Sequence, residues 1–238
     1  MNWPNNSIWK ALASDGERVA VGDEEYVLSM ISCGELTLPS GKLVACDPFA
    51  CLQKGGNVYV SVPPGRYPVY VTLADVSDEY DGSHIREAYA SLVFANWPEV
   101  ERKIIAQNEQ GGEWLETDGN SYRGFPVDAG TACFVDDEAT EKAMPADDTW
   151  LEELFENGSD DDWFHRMDDP QHIRGGIANI PLPLAQNNEN IVIFHSGWGD
   201  GVYPVIGGYD EAGEFVAIHI DFMIVGDFPD EDDEENEE

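Results

Sequence analysis

The pattern that most constrains the fold is a strict alternation of side chains near the C-terminus. Between positions 214 and 225, one set of alternate residues is apolar throughout and the other is mixed: Val216, Ile218, Ile220, Phe222 and Ile224 against Ala217, His219, Asp221 and Met223. Successive side chains of a β-strand point to opposite faces of a sheet, so this period predicts a long strand with one face in a core.

Two turn signals place further strands before this one. The pair Asp200-Gly201 separates an apolar run at 191–195 from another at 202–206, and residues 210–213 form a second turn. Asp-Gly pairs favour the positive φ values of tight hairpins. Residues 191–225 are therefore predicted to form a three-stranded antiparallel meander.

The same signals recur along the chain. Strands are predicted at 41–46, 58–62, 67–73 and 87–94, and the pair Asp118-Gly119 predicts another hairpin. Helices are predicted at 97–106 and, capped by Asp148, at 149–157. The expected fold is mainly β, with antiparallel sheets arranged as a sandwich or barrel. We expect one domain over 1–228 with a small acidic helical insertion at about 137–188, followed by a disordered acidic tail at 229–238.

Charge limits the classes of partner. The chain has 48 acidic and 12 basic residues, a formal net charge of −36. Nucleic acid and anionic membranes are not expected partners, because both bind dense Lys/Arg surfaces. Residues 136–169 carry 14 acids and two bases, and 227–238 carry nine acids and no base. These runs are interpreted in three ways: as solvated faces, as adaptation to high salt, or as an electrostatic attraction for a basic protein partner.

Other features of the sequence suggest a cytoplasmic location. No apolar run approaches the roughly 20 residues that cross a bilayer, and the first residues do not resemble a signal peptide. The four cysteines, Cys33, Cys46, Cys51 and Cys133, form no C-x-x-C pair. The sequence therefore suggests neither a zinc site nor a disulfide framework, and no cofactor is predicted.

Two groups of polar residues are candidates for chemistry. Asp128 and Asp136 flank a predicted strand at an even spacing, so they could bind a cation or share acid–base work, or they could be turn and capping residues. His219 and Asp221 share a strand face, and His195 lies in the same predicted meander. These residues could orient an imidazole or hold a metal, or they could be polar residues on a partly wet sheet face.

A glycine-rich segment at 196–201 is the third candidate. It lacks the G-x-S-x-G order of a serine-hydrolase turn. It is interpreted either as a simple hairpin tip or as a binding loop in which Trp198 supplies an apolar anchor and Asp200 a charge.

Several segments resemble a bacterial family, the domain of unknown function numbered 4241. The matching segments are LPSGKLVACDP at 38–48, VPPGRYPV at 62–69, REA at 86–88, VDAGTACFVD at 127–136, SGWGDGVYP at 196–204 and DF at 221–222. By this resemblance, the family's motif positions fall on Asp47, Arg66, Arg86, Asp128, Asp136, Ser196, Asp200, Tyr203 and Asp221. His195 and His219 do not resemble motif residues. The resemblance implies positions and no reaction.

Two functional hypotheses follow. The first is a non-catalytic interaction protein that binds a basic partner, for which an immunity or counter-defence role in bacteria or phages would fit. The alternative is a hydrolase or metal-assisted enzyme using Asp128, Asp136, Asp200 and Asp221 with one of two arginines. Arg66 and Arg86 are each expected to pair with a motif aspartate, because a guanidinium group fits a carboxylate.

Overall fold

The molecule is built from two antiparallel sheets, with short helices against the second. The computed structural model describes residues 3–95, 98–105, 115–117, 120–122, 124–147 and 149–226. Strands make up 44% of the chain and helices 11%, so the prediction of a mainly β, antiparallel fold is confirmed. No helix in these residues is long and apolar enough to cross a membrane.

The larger sheet curls into a half-barrel. It contains β1 (Glu17–Val21), β2 (Glu24–Leu38), β5 (Gly65–Asp75), β6 (Ile85–Val93), β7 (Glu101–Ile104), β10 (Gly124–Val127), β14 (Gly201–Tyr209) and β15 (Phe215–Asp221). Their order is β1-β2-β5-β6-β15-β14-β10, and β7 also pairs with β14. The alternating C-terminal segment becomes β15, which lies between β6 and β14 in the interior of the sheet.

The second sheet lies between the larger sheet and the helices. It contains β3 (Lys42–Cys46), β4 (Val60–Ser61), β11 (Thr131–Asp136), β12 (Ile177–Pro181) and β13 (Asn190–His195) in the order β12-β13-β11-β3-β4. Its central strands β11 and β13 are buried on both faces, except for His195 at the end of β13. On β11, Ala132 and Phe134 enter the core shared with the larger sheet, whereas Cys133 and Val135 enter a second core beneath the helices.

Four short helices complete this second core: α1 (Pro48–Cys51), α2 (Asp137–Lys142), α3 (Trp150–Phe155) and α4 (Trp163–Asp168). Trp150, Phe155, Trp163 and Met167 pack there against the sheet. Segment 137–188 therefore supplies three helices and also the strand β12. The predicted helix at 149–157 is confirmed as α3, whose N-cap is Thr149, while its predicted cap Asp148 lies outside the described residues.

The predicted meander is wrong at its first strand. β14 and β15 do form an antiparallel pair, but β13 pairs with β11 and β12 in the other sheet. Residues 190–194 are all buried, as expected for a strand packed on both faces. The segment around Asp200-Gly201 therefore carries the chain from one sheet to the other.

The predicted helix at 97–106 is also wrong over its described part. Glu101–Ile104 forms β7, which pairs with residues 206–209 of β14. β10 pairs with only part of that edge of β14. β7 supplies hydrogen-bond partners for the remaining backbone groups, and this gain outweighs the local preference for a helix. The second Asp-Gly pair, at 118–119, lies outside the described residues, but its flanking strands β8 (Leu115–Thr117) and β9 (Asn120–Tyr122) pair antiparallel as predicted.

Candidate functional site

The loop at 196–200 is held by a dense set of hydrogen bonds. The Ser196 hydroxyl donates to the Gly199 carbonyl at 2.6 Å, and the Tyr203 hydroxyl donates to the Ser196 and Gly199 carbonyls at 2.8 Å each. Ser196 is fully buried and Tyr203 nearly so. These two family-motif residues therefore fix the shape of the loop, and the Ser196 hydroxyl is committed to the backbone.

The Asp200 side chain links this loop to the neighbouring bend at 128–130 by a hydrogen bond. Its Oδ1 accepts from the Gly130 amide at 2.9 Å, and the Ser196 amide donates to the Gly130 carbonyl at 3.1 Å. The two loops meet because β13 ends where the antiparallel β11 begins, with Thr131 opposite His195. This arrangement explains why two distant motif segments lie together.

Gly197 allows the loop to lie against the core. Its φ is +60°, a conformation that L side chains rarely adopt. A Cβ atom there would lie 2.9 Å from Ile224 Cδ1 and 3.0 Å from the Phe222 carbonyl oxygen. The residue before Trp198 therefore has to be glycine for the loop to adopt this position.

Trp198 projects from this fixed loop into solvent. It is 59% exposed, the most exposed of the large hydrophobic residues within the described part of the chain. Arg86, at the start of β6, lies against the indole with its guanidinium carbon 4.8 Å from the ring centre. The His84 ring contacts it edge-on at 5.7 Å between centres. We call Trp198, Arg86, His84 and Asp200 the Trp198 surface.

A charged cluster lies beside Arg86. Arg174 Nη1 lies 2.7 Å from Glu87 Oε1, and the Glu87 side chain is almost fully buried. Burial raises the pKa of Glu87, although Arg174 and Arg86 oppose this. Burial lowers the pKa of His195, which lies next to Glu87 around Gly176. The Nε atom of Arg86 is buried and has no hydrogen-bond partner in the described residues.

The other motif aspartates lie at different places in the fold and have different structural roles. Asp136 caps α2, accepting from the Glu138 and Ala139 amides and from the amide and hydroxyl of Ser40, and burial raises its pKa. It lines a pocket of about 150 Å³ together with Ser40, Glu138 and Lys142. Asp47 caps α1 through the Phe49 amide and also accepts from the Asp128 amide at 3.1 Å. The Asp128 side chain is exposed.

Asp221 is fully buried beneath the N-terminal segment. Its carboxylate accepts from Trp3 Nε1 at 2.8 Å and from the Met223 amide at 2.9 Å. Burial raises its pKa to about 7. His219, two residues earlier, is also fully buried, and its ring nitrogens lie 2.8 Å from Ser91 Oγ and from Glu99 Oε1. His195 belongs to the other sheet, so the predicted grouping of the two histidines with Asp221 is wrong.

The predicted pairing of both arginines with motif aspartates is wrong as well. Arg66 lies 3.1 Å from Glu35 in an exposed ion pair, and Arg86 stacks on Trp198. Nor do Asp128, Asp136, Asp200 and Asp221 form a cluster: in the described residues, no three of them bring carboxylate oxygens within 4.8 Å of one another. The enzyme hypothesis stays a prediction, for which this geometry supplies no shared carboxylate site.

Some groups could not be found from the sequence. His84 joins the Trp198 surface, and Arg174 joins Glu87 beside it, only through folding. Cys46, Cys51 and Cys133 are the three residues with metal-ligating atoms that do cluster in the described part of the chain. Cys46 and Cys51 form a disulfide, which the absence of a C-x-x-C pair did not suggest.

No curated protein and no solved structure matches this chain. A family model described as "Protein of unknown function (DUF4241)" matches residues 36–220. That match covers the second sheet, the helices, the Trp198 surface and the larger sheet apart from β1 and most of β2, so this chain belongs to the DUF4241 family.

Proposed function

We propose that this protein is a non-catalytic binding protein that engages a basic protein partner, with Trp198 as the central anchor. The observation that carries this proposal is the contrast between the exposure of Trp198 and the rigidity of its loop. Exposed tryptophans held by buried neighbours are typical of residues that dominate binding energy at interfaces. A loop already fixed in one conformation loses little entropy on binding.

The surrounding charge supports a basic partner. Asp200 and Asp128 are exposed beside the loop, and the connection between β5 and β6, which ends at His84, carries exposed Asp78, Glu79 and Asp81. An aromatic anchor with an acidic rim is complementary to a surface with an apolar pocket and lysine or arginine residues around it. The net charge of −36 adds long-range attraction for such a surface. A cytoplasmic immunity or counter-defence role belongs to this proposal.

The binding test compares wild type with Trp198→Ala. Leu184→Ala is the matched control, because Leu184 is 52% exposed and lies after β12, away from the described contacts of Trp198. Proteins retained from a lysate of the source organism would be identified, and the basic ones produced in pure form for rate measurements. Loss of an anchor worth at least about 2 kcal/mol predicts a roughly 30-fold faster dissociation for Trp198→Ala and no change for Leu184→Ala. Equal effects of the two variants would contradict the proposal.

A second variant tests the charge. Asp160 and Asp161 are exposed, whereas Asp162 caps α4 through the His165 amide and has to be retained. Asp160→Asn with Asp161→Asn, in a chain ending at Pro229, should slow association and weaken its salt dependence, because surface charge acts mainly on encounter rate. An unchanged association rate would show that these acidic runs are only solvated faces.

A further inference from the structure

Three cysteine sulfurs meet where β3, α1 and β11 converge. Cys46 ends β3, Cys51 ends α1, and Cys133 lies on β11 directly opposite Cys46 in the strand pairing. Cys133 Sγ is 3.6 Å from Cys46 Sγ and 3.9 Å from Cys51 Sγ. Cys46 and Cys51 form a disulfide, with Cα atoms 6.5 Å apart.

The local structure brings these three cysteines together without a bound ligand. Asp47 caps α1, so the chain reverses immediately after Cys46 and returns Cys51 to the same place. The same carboxylate accepts from the Asp128 amide, which holds the approach to β11 against α1. Three cysteines from three elements are therefore preorganised by the backbone, which reduces the entropy lost when a ligand binds them all.

The surroundings suit a metal ion. Cys133 and Cys51 are 0% and 2% exposed in the second core, whereas Cys46 is only partly buried and packs against the same core. Thiolates bound at about 2.3 Å to one ion lie roughly 3.8–4.0 Å apart in tetrahedral or trigonal geometry. The two observed separations of 3.6 and 3.9 Å are close to that range.

We propose that Cys46, Cys51 and Cys133, with the Cys46–Cys51 bond reduced, bind one thiophilic metal ion. Sulfur-only ligation selects soft ions such as Cu(I) and Zn(II). In the described residues no fourth His, Cys, Asp or Glu joins the group. Three-coordinate Cu(I) needs no other ligand, whereas Zn(II) would take a water as its fourth ligand.

The chemistry balances as two steps. A dithiol reductant transfers two electrons and two protons to the Cys46–Cys51 disulfide and is itself converted to a disulfide. The three thiols then lose three protons as their sulfurs bind the ion. Dithiols are the usual state of cysteines in a reducing cytoplasm, the compartment that the sequence predicts.

The first experiment counts thiols on the full chain. Two cysteines, Cys33 and Cys133, are free, so the number of reactive thiols in the unfolded protein should rise from two to four after treatment with a dithiol. The reduced protein is then mixed with Zn(II) or Cu(I) in competition with a coloured chelator specific for each ion. One ion per chain is expected for at least one of the two metals.

Matched variants assign the ligands. Cys133→Ser should weaken binding at least 100-fold, whereas Cys33→Ser should leave it unchanged, because Cys33 is equally buried but lies on β2 outside the cluster. If Cys133→Ser does not fold, as judged by circular dichroism, the half-buried Cys46→Ser replaces it with the same expectation. Failure of the wild type to bind either ion, or equal binding by the two kinds of variant, would overturn the proposal.

Discussion

The guanidinium group of Arg86 lies against the indole of Trp198, 4.8 Å from the ring centre, and joins the start of a strand in one sheet to the loop after a strand in the other. The contact has two consequences. It orients the most exposed aromatic ring in the described residues, and it places one of only 12 basic residues behind a surface with an acidic rim.

Removing this cation should loosen the ring with little loss of stability. In Arg86→Met, the side-chain stem is retained and the cation–π contact, worth about 0.5–1 kcal/mol at such sites, is lost. The order parameter of the Trp198 indole N–H, measured by nitrogen-15 relaxation, should fall. Arg66→Met is the control, since Arg66 is exposed and pairs only with Glu35 in the described contacts, and it should leave the indole unchanged. Equal changes in both variants would contradict a specific role for Arg86.

The loop bonds should show coupling. Ser196→Ala and Tyr203→Phe each remove a donor to the Gly199 carbonyl, at a cost of about 1 kcal/mol or more in unfolding free energy. Together they leave that carbonyl without either donor, so the double variant should lose more stability than the sum of the two singles. Urea unfolding measures all three. Strict additivity would show that the two hydroxyls act independently.

Asp221 should give the protein a distinctive pH dependence. Its folded pKa is about 7, whereas the unfolded value is near 3.8, so the folded state holds a proton that the unfolded state has released between these values. Stability from this group is therefore full below about pH 4 and decreases as pH rises to about 7. Asp221→Asn keeps the acceptor for the Met223 amide but cannot titrate, and the difference from wild type isolates this decrease. Asp128→Asn, at an exposed carboxylate, is the control. Parallel stability curves for wild type and Asp221→Asn would rule out the shift.

Salt should stabilise the folded chain. At a net charge of −36, repulsion opposes the compact state, and at about 1 M salt the screening length falls to roughly 3 Å. The melting temperature in sodium chloride should therefore rise from dilute buffer to 1 M, by less in a chain ending at Pro229, which lacks eight acidic residues. A constant or falling melting temperature would be incompatible with repulsion as the dominant effect. A large further rise at several molar would favour adaptation to high salt.

The strands were predictable where the pattern is local. Alternation over 214–225 predicted β15, and the apolar runs predicted β3, β5, β6 and β13, because side-chain period depends only on neighbouring residues. The local pattern does not determine which strand each strand pairs with. Asp200-Gly201 has the composition of a hairpin turn, yet the Asp200 side chain bonds to Gly130 and the chain crosses to the other sheet. The composition of a turn predicts that the chain reverses direction. Which sheet the next strand joins depends on which side chains the strand buries.

The candidate site divides in the same way. The sequence by itself determined the class of fold, the acidity, the motif positions and the candidate loop that contains Trp198 between two glycines. Only the tertiary structure decided what those residues do. Ser196, Asp200 and Tyr203 hold a loop, Asp47 and Asp136 cap helices, Arg86 orients an indole, and three cysteines meet in a core. These roles depend on distances between residues far apart in the chain, and such distances are set by which faces the two sheets bury against each other.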